Sequence, residues 1–142
     1  MSRSSSMTLP VLSGSMMPFL HPGGEVLVEC TPSGKCHLGD IIVFRETDKL
    51  VAHRVLFRLR LGNHCYLYQK GDAAGIGHWV RDDRMIGVVT RSTDANGTEL
   101  YLRGKHNQTE RHRIYVLLVR DVLTRAKSVI KAFSAITRGG GR

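Results

Sequence analysis

The sequence predicts a mainly β fold, a β-barrel or folded sheet, closed by a C-terminal amphipathic α-helix. Short apolar runs recur between turns rich in Gly, Pro and Asn, the spacing expected of an all-β sheet or partly open barrel. Near the C-terminus the hydrophobic period changes from that of strands to that of a helix. At 142 residues, with 42% hydrophobic and 23% charged residues, the chain can bury one real core. The expected organisation is a polar leader over 1–12, a β-rich domain over 13–113, a basic helix over 114–137 and a disordered tail over 138–142.

The elements follow in order. Pro22-Gly23-Gly24 marks a reversal, after which Val26, Val28 and Cys30 alternate against Glu29, predicting a half-buried strand over 25–30. Turns at Pro32-Ser33-Gly34 and Leu38-Gly39-Asp40 lead into a nearly all-apolar run over 40–44, the pattern of a central strand. Val and Leu enrich a third strand over 49–57. Gly62-Asn63 turns the chain into a fourth over 65–69. A fifth is expected over 85–90 and a sixth over 99–103, entered through Asn96-Gly97. Val119, Val122, Leu123, Ala126, Val129, Ile130, Phe133 and Ile136 then recur at helical spacing, with Arg125, Lys127, Lys131 and Arg138 on the other surface. Such a helix can pack on its own sheet, lie on a membrane surface or dock a partner protein.

The formal charge of +9 calls for an anionic partner, but no helix-turn-helix, zinc-finger or RNP-like pattern favours nucleic acid. Cys30, Cys36 and Cys65 do not make a disulfide framework, and their spacing with His37 and His64 matches no zinc-ligand pattern. Reduced thiols are expected, with neither metal nor cofactor. The first seven residues lack the apolar core of a secretory signal, and Arg120 and Asp121 interrupt the apolar run at 114–119. The expected location is therefore cytoplasmic or peripherally membrane-associated.

Three short stretches carry possible chemistry. In Ser13-Gly14-Ser15-Met16-Met17-Pro18 a serine lies in a turn that Gly14 loosens and Pro18 constrains. His53 sits mid-strand in Val51-Ala52-His53-Arg54-Val55, and Asp72 follows a glycine at a strand end in Lys70-Gly71-Asp72. Each alone is ordinary loop or strand material. With Gly39-Asp40-Ile41-Ile42-Val43-Phe44 they form four ordered stretches, and from about Ser13 to Val89 the chain resembles type I signal peptidases. The histidine at the base position resembles the endoplasmic-reticulum and archaeal branch, whereas the Ser15 turn is more similar to the bacterial form. The resemblance implies the signal-peptidase and SOS-repressor fold, Ser15 as nucleophile, His53 as general base and Asp72 as the acid supporting it. It also implies oxyanion donors from the Ser13 hydroxyl and the Ser15 amide, Met16 on the substrate-binding surface, and a peptide or protein substrate.

The chemistry is consistent with that assignment. A serine hydroxyl needs an adjacent base, and histidine, titrating near pH 6.5, serves at neutral pH without large perturbation. Lys49 is a rival base, but it lies four residues away, roughly 13 Å along a strand, so both cannot reach Ser15. There are departures from the family pattern. No transmembrane helix is expected before the nucleophile, Gly24-Glu25 stands where many members carry Gly-Asp, and Ala73-Ala74-Gly75 follows Asp72 where Asn and a second acid are common. Asp82 or Asp83 is a candidate for that second acid. Three other readings stay open: a peptidase dedicated to one leader peptide, a self-cleaving relative of the SOS repressors, and a non-catalytic peptide-binding module.

Overall fold

The computed structural model describes residues 5–73, 75–103 and 108–139, the helical side chains being described at 112 and over 115–137. Eight strands form one antiparallel sheet that curls into a half-barrel. They are β1 (Ser6–Pro10), β2 (Glu25–Glu29), β3 (Ile41–Glu46), β4 (Lys49–Leu61), β5 (His64–Lys70), β6 (His78–Arg81), β7 (Met85–Thr93) and β8 (Glu99–Tyr101). The spatial order is β1-β2-β7-β3-β4-β5-β6, and β8 pairs with β7. A single helix, α1 (Gln108–Gly139), follows.

The pleat explains why β3 reads as a continuous apolar run. Ile41 and Val43 enter one core cluster with Met16, Leu20, Val26 and Val28, while Ile42 and Phe44 enter a second with Val55, Leu67 and Val88. A strand buried on both faces has no position for a polar residue. β4 departs from the expected end at residue 57 and runs to Leu61, because β5 pairs with its second half from Arg54↔Lys70 to Leu61↔His64. Its first half pairs with β3, from Glu46↔Lys49 to Ile41↔Arg54. Over residues 49–53 the edge of β4 on the β5 side consequently has no ladder partner among the described strands.

Three expectations are corrected. The stretch assigned to a polar leader contains β1, which pairs with β2 from Ser6↔Glu29 to Pro10↔Glu25. Its alternating Met7 and Leu9 pack on the first core cluster, a pattern that the surrounding serines obscure. β6 was not expected, because Trp79 and Val80 are neighbours between polar His78 and Arg81 and show no apolar alternation. Gly77 lets this strand lie close to β5, since a Cβ there would overlap the Gln69 carbonyl oxygen. The helix begins before residue 114 and continues into the expected tail, whose last three residues lie outside the described set.

Only the first half of α1 packs on the sheet. The Tyr115 hydroxyl donates to the Leu56 carbonyl at 2.8 Å, Leu118 is buried, and Lys70 Nζ lies 3.8 Å from Asp121 Oδ2. From Leu123 to Thr137 every side chain is exposed. No helix among the described residues is long and apolar enough to cross a membrane.

Candidate active site

Ser15 opens a compact turn held from beneath. The Met17 N–H donates to Gly14 O at 3.1 Å, and the Phe19 and Leu20 N–H groups both donate to Met16 O. Met16 and Leu20 are driven into the first core cluster, at 2% and 1% exposure, so Ser13 and Gly14 are left at the surface and Ser15 half-buried. The Ser13 and Ser15 hydroxyl oxygens are 3.3 Å apart, long for a hydroxyl pair. Among the described residues the Ser15 N–H donates to no protein acceptor, as an oxyanion donor requires. Met16 was expected on the substrate-binding surface. It is instead a core residue whose sulfur accepts the Asp72 N–H at 3.4 Å, because the apolar thioether gains more from burial than from solvent.

Asp72 also takes a different partner from the one expected. Its carboxylate oxygens accept Arg54 Nε–H and Nη2–H at 2.8 and 2.6 Å, a bidentate pair whose side chains are 2% and 5% exposed. Arg54 Nη1 donates to Gly39 O at 2.8 Å, and the Phe19 ring covers the guanidinium 5.1 Å from its centroid. The Ala73 N–H donates to Ser15 O at 2.8 Å. Asp72 therefore acts as the counter-ion of Arg54, and this buried pair clamps the Ser15 turn onto β4 and the loop after β5. The reason is the pleat: neighbouring residues of a strand face opposite sides, and Asp72 lies on the Arg54 side.

His53 projects to the opposite face, against the edge of the Phe44 ring at 6.0 Å between centroids. Its Nδ1 lies 2.5 Å from Gln69 Oε1 on the adjacent strand. With a carbonyl oxygen as acceptor, Nδ1 carries the hydrogen and Nε2 keeps the basic lone pair. Burial is the largest influence on the imidazole and pushes its pKa below the usual histidine value. The Gln69 hydrogen bond opposes that shift, His78 reinforces it, and the charges of Glu46 and Asp72 weakly oppose it. Gln69 was absent from the expected site, because nothing in His64-Cys65-Tyr66-Leu67-Tyr68-Gln69-Lys70 marks its amide as a partner of His53. Its Nε2 is buried with no hydrogen-bond partner among the described residues.

The remaining candidates sit elsewhere. No hydrogen bond joins Ser15 to His53, whose ring is bonded to Gln69 alone among the described side chains. Lys49 is a solvated hairpin residue 3.5 Å from Glu46. Asp82 accepts the Cys65 N–H at 3.0 Å, and Asp83 pairs with Arg81, whose hydrogen bonds hold its carboxyl below the usual range. Neither acid touches His53. Cys30, Cys36 and Cys65 are free thiols, and burial raises the Cys36 pKa. A groove lined by Leu27, Glu29, Thr90, Arg91, Tyr101 and Arg103 contains none of the candidate site residues. In comparisons with known proteins, no family model and no curated protein matches the chain.

Proposed function

We propose that the chain is a serine endopeptidase in which Ser15 is the nucleophile and His53 the general base. The state of His53 carries this reading. The ring is favoured in its neutral form by burial, its Nδ1–H is tied to Gln69, and its Nε2 is left as the basic atom. A histidine arranged this way is ready to accept a hydroxyl proton at neutral pH.

His53 also ends the unpaired edge of β4. A peptide adding to that edge as an extended strand gains backbone hydrogen bonds and runs past His53. Ser15 Oγ attacks the scissile carbonyl as His53 Nε2 takes the hydroxyl proton, and the same nitrogen returns it to the departing amine. The Ser15 N–H and the Ser13 hydroxyl stabilise the oxyanion, and Gln69 Oε1 steadies the imidazolium through Nδ1–H. Water activated by His53 then releases the acyl group. Ser15 and His53 share no hydrogen bond in the free chain, and catalytic hydrogen bonds often tighten only in the substrate complex. Arg54 and Asp72 hold the turn in place and exchange no proton. The resemblance to signal peptidases suggests cleavage after small residues, in sequences of the Ala-x-Ala kind.

The test compares the wild type with Ser15→Ala and His53→Ala on such peptides. Each substitution is expected to lower kcat by about 10⁴-fold or more. Equal turnover by the variants overturns the assignment. A fluorophosphonate that labels the wild type but not Ser15→Ala distinguishes a peptidase from a module that only binds peptides.

A further inference from the structure

The second half of α1 is an amphipathic surface on which none of the described residues packs. Leu123, Val129, Ile130, Phe133 and Ile136 are 54–73% exposed, although they fall on one side of the helix. With Val122 and Ala126 they span an arc of about 140° at 3.6 residues per turn. Lys127 borders one side of that arc and Arg125, which pairs with Asp121 at 3.1 Å, the other, and no acidic residue occurs between Val122 and Thr137. The face farthest from the arc carries Thr124, Ser128, Lys131 and Ala135.

We infer that this segment is a docking helix for an anionic lipid surface. Its charge pattern separates that occupant from a second copy of the chain. Between Val122 and Thr137 each copy carries basic and no acidic side chains, so pairing two such segments gains no opposite-charge contact there. An anionic bilayer satisfies both features, accepting the apolar arc at the headgroup boundary and the flanking cations among phosphates. The helix also leaves the body beside the candidate site. Lys70 pairs with Asp121 at its root, the Arg125 side chain reaches Gly75, and Ala73 is bonded to Ser15. A helix lying in the headgroup plane therefore holds the Ser15 turn at the membrane surface.

The test is co-sedimentation of the full chain with vesicles of equimolar phosphatidylglycerol and phosphatidylcholine, and with vesicles of phosphatidylcholine alone. Partition into the anionic vesicles that weakens with added salt is the expected result. Ile130→Ser with Phe133→Ser is expected to abolish it without lowering the unfolding temperature, because both side chains are exposed. Lys127→Gln is expected to reduce partition about fivefold, and Lys131→Gln, on the far face, by less. Equal binding to neutral vesicles, or none to either, overturns the inference, as does a dimer that Phe133→Ser dissociates in the absence of vesicle binding. Partition is measured without turnover, so its outcome and that of the Ser15 assignment remain separable.

Discussion

A lone amide decides how His53 behaves. A triad acid behind the imidazole would raise its basicity, whereas a neutral Gln69 orients the ring without adding a negative charge. Burial then dominates and moves the folded pKa below 6.5. The sign follows directly. Between the folded pKa and 6.5 the unfolded chain holds a proton that the folded chain does not, so stability falls as pH drops through that window. The same shift keeps the base neutral in mild acid. NMR titration of His53 should give a midpoint below 6.5, with the acid limb of kcat/KM at the same pH. Gln69→Glu places a carboxylate beside Nδ1 and is expected to move both midpoints upward. Unchanged midpoints in that variant would show that Gln69 does not set the basicity of the ring.

At the scale of elements, the Arg54–Asp72 pair joins three segments. It ties β4 to the loop after β5, while Phe19 and Met16 bring the Ser15 turn against the same two side chains. Breaking one partner of a buried ion pair leaves an uncompensated charge and costs about 3–5 kcal/mol. Asp72→Asn should show that loss in chemical denaturation. Arg54→Met with Asp72→Leu should recover much of it, because replacing a buried ion pair with apolar groups is often neutral. If Asp72 instead supported His53 directly, Asp72→Asn would lower turnover with little change in stability. The motif Lys70-Gly71-Asp72 was legible as a functional stretch, but its role was not. Which face of β4 Asp72 meets depends on the register between β4 and β5, which shifts between Val55 and Phe57. No local pattern encodes that shift.

For the whole molecule, the helix belongs half to the body and half to its surroundings. Leu118→Ala removes a buried side chain and is expected to destabilise the fold by about 2 kcal/mol or more. Ending the chain after Arg125 removes only exposed helical side chains and the tail, and should leave the unfolding midpoint unchanged while abolishing vesicle partition. A lowered midpoint on truncation would mean that the distal helix contributes to the body's core.

Much of this organisation is written in local periodicity. The strands over 25–30, 40–44, 49–57, 65–69, 85–90 and 99–103 each have a counterpart, as does the C-terminal helix, because a period of two or 3.6 is a property of consecutive residues. β1 and β6 escaped because serines surround the one and polar His78 and Arg81 bound the other, leaving no clear apolar alternation. Ser13, Ser15, His53 and Asp72 became candidates through the order of their motifs along the chain, each being ordinary material by itself. What each of them touches was settled only when distant segments met. Asp72 went to Arg54, His53 to Gln69 and Met16 to the core because the strand register and the curl of the sheet choose which faces meet. Those choices minimise buried unpaired charge and exposed apolar surface over the whole chain at once.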